Sequence, residues 1–109
     1  MAKHEFGIMQ TAPYPDEEYV EYEPQKYNCI CVNDDDIDSI SKDLDIVKCY
    51  WHTLNHPEFG LAYYGITLIP PSSFDMILDI IECNVVFEEL TNLIKIAKHE
   101  GKYIIHFGI

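Results

Sequence analysis

The chain has 109 residues, 48% hydrophobic and 13% aromatic, with 19 Asp and Glu against seven basic residues and a formal net charge of −12. That length and apolar content fit one domain with a real core, and the supply of aromatic and β-branched residues argues against disorder. All seven bases are Lys, so direct nucleic-acid binding is disfavoured and no guanidinium fork is available for phosphate or carboxylate.

The N-terminal residues have no apolar stretch behind them, and no segment approaches the roughly 20 continuous apolar residues of a membrane helix. The expected setting is cytoplasmic, without membrane contact. Cys29, Cys31, Cys49 and Cys83 are therefore expected as reduced thiols.

In chain order, Glu5–Gln10 reads as a short strand. Residues 11–26 carry Pro13, Pro15 and Pro24 and the run Asp16-Glu17-Glu18, and read as a long loop because proline removes backbone donors. Tyr27–Val32 alternates as a strand does, with Tyr27, Cys29 and Cys31 on one face. Asp34–Leu44 reads as a helix, because Ile37, Ile40 and Leu44 recur at helical spacing and the acids at its start suit the dipole.

Ile46–Leu54 and Gly60–Ile69 are rich in Val, Ile, Thr, Tyr and Trp, and read as strands joined by a hairpin loop over residues 55–59. Pro70 and Pro71 stop the second. Ser72 or Ser73 then caps a helix with Phe74, Ile77, Leu78 and Ile81 as its buried stripe. Cys83-Asn84 interrupts before a helix over Val86–His99, which Gly101 ends in a left-handed cap. Lys102–Phe107 is a final alternating strand.

From Tyr27 onward the order is β-α-β-β-α-β. That order resembles the ferredoxin-like architecture, which implies a four-stranded, mainly antiparallel sheet with helices on one face. The expectation is thus a single α+β domain over 1–109. Residues 27–109 form the βαββαβ core, and residues 1–26 add an N-terminal strand and an acidic, Tyr-rich loop. That first strand is expected to extend a sheet edge or to stay loosely attached. The architecture names no chemistry, since the superfold carries many functions.

Three constellations have residue types suited to a site. Asp34, Asp36, Asp38 and Asp45 match part of a calcium loop, but the Gly of the sharp turn is missing and the stretch has helical periodicity. Cys49, His52 and His56 have a zinc-like spacing, yet Cys49 and His52 would point to opposite faces of a strand. No metal or other cofactor is therefore expected. No nucleophile elbow, activated Cys or Gly-rich phosphate loop accompanies the histidines, so no catalytic residue is assigned.

The third constellation is the interleaving of Tyr14, Tyr19, Tyr22 and Tyr27 with Asp16, Glu17, Glu18, Glu21 and Glu23. Eleven acids lie between Asp16 and Asp45 against Lys26 and Lys42 alone, a net of −9. Tyrosines are enriched at protein interfaces, and carboxylates steer basic partners. The leading expectation is a non-enzymatic module that captures a basic protein through Tyr19, Glu21, Tyr22, Asp34, Asp35 and Asp36. In size and charge the chain resembles immunity proteins and inhibitors that neutralise a nuclease. The alternative is a small-molecule- or metal-binding domain with a pocket of Trp51, His52, Tyr64 and His106. A third reading is a homodimer paired through a sheet edge.

Overall fold

In the computed structural model, which describes residues 2–109, period-two alternation in β1 (Lys3–Ile8) sends His4, Phe6 and Ile8 to one face and Lys3, Glu5 and Gly7 to the other. This strand lies inside the sheet. It pairs antiparallel with β2 (Ile30–Asn33) on one side and with β6 (Ile104–Phe107) on the other. The remaining strands are β3 (Lys48–Trp51), β4 (Pro57–Phe59) and β5 (Ile66–Ile69). The sheet order is β2-β1-β6-β5-β3-β4, with every pairing antiparallel.

The α+β class holds, but the sheet has six strands, and the expected four-stranded ferredoxin-like arrangement is not confirmed. Two departures account for this. The N-terminal strand is neither an edge nor a loose attachment, because its two hydrogen-bonding sides are both taken. In addition, the expected strand over Gly60–Ile69 forms only at Ile66–Ile69. Gly60 is left-handed (φ 86°), and Ala62 donates its N–H to the Thr67 hydroxyl oxygen at 2.7 Å, so residues 60–65 turn rather than extend. Part of the expected hairpin loop pairs instead, with Lys48 opposite Phe59 and Tyr50 opposite Pro57.

Four helices cover one face: α1 (Asp34–Ser39), α2 (Ser41–Leu44), α3 (Phe74–Ile81) and α4 (Glu88–Glu100). The helix expected over Asp34–Leu44 breaks at Ile40 (φ −114°, ψ 7°). The flanking Ser39 and Ser41 hydroxyls donate back to the Asp36 and Asp38 carbonyls, a local competition that disfavours continuous helix. Ile37, Ile40 and Leu44 nevertheless all reach the core. There they meet Phe6, Val32, Ile69, Phe74, Ile81, Ile94 and Ile104, each contributing about 1.5–3 kcal/mol by burial. Ser73 caps nothing. Its hydroxyl donates to the Lys48 carbonyl at 2.5 Å and ties the start of α3 to β3. Gly101 ends α4 in the left-handed conformation (φ 67°), as its position in the sequence predicts.

The opposite face has its own core of Met9, Ile66, Leu68, Ile105 and Phe107. No helix covers it. Its lid is the proline-rich loop, whose Tyr19, Tyr27 and Cys29 pack against it together with Tyr50, Leu54 and Tyr103. The loop can lie this close because β1 carries Gly7 at the crossing. A Cβ there would stand 2.6 Å from the Tyr27 Cβ and 2.8 Å from the Cys29 sulfur. Gly7→Ala should therefore destabilise the fold by about 1–3 kcal/mol through overpacking. Urea unfolding measures the loss, and an unchanged midpoint would show that the loop does not bear on the strand.

Candidate functional site

The loop is held at Tyr19, within its acidic stretch, and again just beyond that stretch. The Tyr19 N–H donates to the His52 carbonyl at 2.6 Å, and the His52 Nδ1 stands 3.1 Å from the Tyr19 carbonyl, a contact that makes it the donor. His52 can face the loop in this way because it leaves β3 in a left-handed conformation (φ 65°). Farther on, Pro24–Tyr27 form a turn of 3-10 helix that ends at left-handed Asn28. Between these anchors the Tyr22 ring stands edge-on to Phe107, with centroids 5.5 Å apart, and its hydroxyl donates to Glu5. That bond to a carboxylate pushes the Tyr22 phenol up to about 12. Burial raises Tyr19 and Tyr27 as well.

The outer side of the loop is different. Tyr14 and Tyr22 remain 63% and 61% exposed, and Asp16, Glu17, Glu18 and Glu21 face solvent. Among the described residues, the ion pairs use Asp34, Glu58, Asp75, Glu82 and Glu100. None of the loop carboxylates takes part in one.

Asp34, Asp35 and Asp36 open α1 on the helical face of the sheet, so they do not join the loop group. Tyr22 meets Glu5, whereas Asp34 meets His4. These are successive residues of β1, and successive residues point to opposite faces. Asp35 is exposed and Asp36 half-buried. Asp34 is turned inward, where Tyr63 donates its hydroxyl and the His4 Nε2 lies at 3.0 Å. Both contacts hold the Asp34 carboxyl below its ordinary range.

Asp34 begins a buried chain absent from the sequence reading. The His4 Nδ1 lies 2.9 Å from the His106 Nε2, and the His106 Nδ1 lies 3.1 Å from the Thr67 hydroxyl. Thr67 already accepts the Ala62 N–H. One assignment gives every group a partner. Thr67 donates to His106, His106 Nε2–H donates to His4, and His4 Nε2–H donates to Asp34. Both histidines are fully buried, so the chain reaches solvent only through the Asp34 carboxylate. The sequence signal was a histidine at a core position of each strand, His4 with Phe6 and His106 with Ile104.

The residues of the alternative pocket separate. His52 and Tyr64 line one open cavity of about 640 Å³, together with Lys3, Glu5, Tyr22 and Phe107. His106 belongs to the buried chain on the other face. Trp51 directs its indole N–H to the Gly60 carbonyl at 3.0 Å, with its ring beside His56. Cys49, His52 and His56 do not converge either. Cys49 is buried, its thiol pushed up to about 12 by desolvation, and His56 contacts Glu58 at the hairpin. Among the described residues, no group of three or more His, Cys, Asp or Glu is arranged to hold a metal ion, and no helix is long and apolar enough to cross a membrane.

Fold and site together define an α+β protein whose six-stranded antiparallel sheet carries helices on one face and an acidic tyrosine loop on the other. No protein-family model, curated protein or solved structure matches the chain.

Burial, reinforced by the neighbouring His4, holds the His106 imidazole well below the 6.5 of an ordinary histidine. The unfolded chain thus takes up a proton near pH 6.5 that the folded chain refuses. Stability from this group is complete above that pH and falls as pH drops below it, by up to about 1.4 kcal/mol per pH unit. Thermal unfolding from pH 7.5 to 5 should show the decline, and His106→Gln should flatten it. An equal slope in both proteins would place the proton uptake elsewhere.

Proposed function

We propose that this chain is a non-enzymatic binding module that captures a basic protein through its acidic tyrosine loop. The supporting observation is the division of labour within that loop. Its anchoring contacts point inward to the sheet, while its carboxylates point outward without a basic partner among the described residues. An ordered loop has already lost the conformational entropy that a floppy one loses on binding. Unpaired carboxylates give a long-range field that accelerates the approach of a cationic protein and screens away with salt.

Exposed Tyr22 and Tyr14 supply contact area beside Glu17, Glu18 and Glu21, and half-buried Tyr19 sets the loop between them. Asp35 and Asp36 add to the field from the other side of the β1–β2 edge, whereas Asp34 is engaged by His4 and Tyr63. The partner class that suits this charge best is a basic nuclease, with the chain as an inhibitor of the immunity type.

The test begins with the tagged protein as bait in its own host, followed by rate measurements on the basic protein recovered. The triple change Glu17→Lys, Glu18→Lys and Glu21→Lys should slow association by about tenfold or more, and 0.5 M salt should slow the wild type similarly. An association rate indifferent to both changes rules the mechanism out.

A further inference from the structure

The open cavity of about 640 Å³ beneath the acidic loop contains a carboxylate that forms no ion pair with any described residue. Glu5 lines it and is 7% exposed. Buried carboxylates are ordinarily paired with a base, because taking an ionised group out of water is costly. Here the only hydrogen-bond partner among the described residues is the Tyr22 hydroxyl, which engages Oε1. No ammonium or imidazole nitrogen of those residues lies within 4 Å of either oxygen. Lys3 stands two residues away on the same face of β1 and lines the same cavity, yet it forms no ion pair with Glu5.

The walls suit a cation with an apolar stem. Phe107 and Tyr22 stand edge to face beside the carboxylate, and Val20, Tyr64 and Ile66 continue the lining. Aromatic faces attract an ammonium group, and a four-carbon stem packs along such a surface. With Oε1 engaged by Tyr22, the side-by-side approach of a guanidinium to both oxygens is obstructed, whereas a compact ammonium needs one oxygen. The volume exceeds that of one side chain, leaving room for the adjoining backbone of a partner.

We infer that this cavity receives a lysine side chain of the basic partner, its ammonium seated on the Glu5 carboxylate beside the Tyr22 and Phe107 rings. The inference rests on the binding-module reading above and assigns it an anchor. The outer carboxylates govern how fast the partner arrives, and Glu5 governs how long it stays. Lys3 opposes the seat, because its positive charge shares the cavity with the incoming ammonium.

The test uses N-acetyl-lysine methylamide as the probe, with N-acetyl-norleucine methylamide as its uncharged counterpart, titrated into the full chain and followed by NMR. The lysine compound should shift the signals of Tyr22, His52 and Phe107, and the norleucine compound should not. Glu5→Gln keeps an acceptor for Tyr22 and should weaken lysine binding by about tenfold or more. Lys3→Met should strengthen it. Changes of opposite sign at two residues of one strand cannot come from general damage to the fold. Equal shifts with both compounds, or lysine binding unaltered in Glu5→Gln, overturn the assignment.

The two proposals also fail separately. Lysine binding at Glu5 without any salt-sensitive capture of a basic protein removes the binding-module reading. Capture of a basic protein with a dissociation rate unaltered in Glu5→Gln leaves that reading standing and removes the anchor.

Discussion

The burial of β1 on both faces is the constraint on which the rest of the structure depends. A strand in the middle of a sheet is paired on both sides, and β1 is so placed, with β2 opposite Lys3–Phe6 and β6 opposite Glu5–Ile8. Its side chains then enter two separate interiors. Phe6 and Ile8 suit the helical one. His4 and Glu5 are polar, and a buried polar group destabilises the fold unless it finds a partner. His4 finds two, Asp34 and His106, and Glu5 finds Tyr22. Each partner comes from a different part of the chain. The polar residues of β1 therefore act as pins that position α1, β6 and the loop relative to one strand.

The pin at Glu5 explains how a segment with three prolines can be ordered. Such a loop makes few backbone hydrogen bonds of its own and loses considerable entropy when fixed. The offset comes from apolar contact on the face away from the four α-helices, where Tyr19 and Tyr27 pack on the cluster of Met9, Ile66, Leu68, Ile105 and Phe107. One backbone and one side-chain contact from His52 to Tyr19, with the phenol bond to Glu5, complete it. Tyrosine suits this position because its ring packs against an apolar sheet while its hydroxyl reaches a polar atom or water. The same tyrosines serve as core and as surface, which is why the loop is both a lid and a candidate interface.

The acids make the opposite contribution to stability. Eleven of them crowd the segment from Asp16 to Asp45 against two lysines, and their mutual repulsion works against the compact state. The lysines of α4 offer little relief there, since Lys95 and Lys98 pair with Glu82 and Asp75 at the other end of the molecule's sequence. On the loop face, whose carboxylates form no ion pair among the described residues, the repulsion is relieved by whatever positive charge binds there, so a cationic partner would stabilise the folded chain as well as occupy it.

Much of this was legible in the sequence. The 3.6-residue recurrence of Phe74, Ile77, Leu78 and Ile81 and of Leu90, Leu93, Ile94 and Ala97 marked two helices, the second of which runs Glu88–Glu100 rather than Val86–His99 because Val85–Phe87 form a 3-10 turn. Gly101 marked the end of the second, β-branched and aromatic content marked the strands around Cys49 and Leu68, and alternation marked the strand around Ile105. These are local properties, set by the period of the backbone and by which face meets water. The net charge was equally plain, because it needs no geometry. What alternation could not convey was which strand stands beside which. Lys3–Ile8 reads the same whether it lies at an edge or at the centre, and only pairing with residues about 100 positions away put it inside. For the same reason the contact between His4 and His106, 102 residues apart, has no local signature. The loop tyrosines could be named from the sequence. Their division between core and solvent was decided by the tertiary structure, because it depends on which face of the sheet the helices leave open.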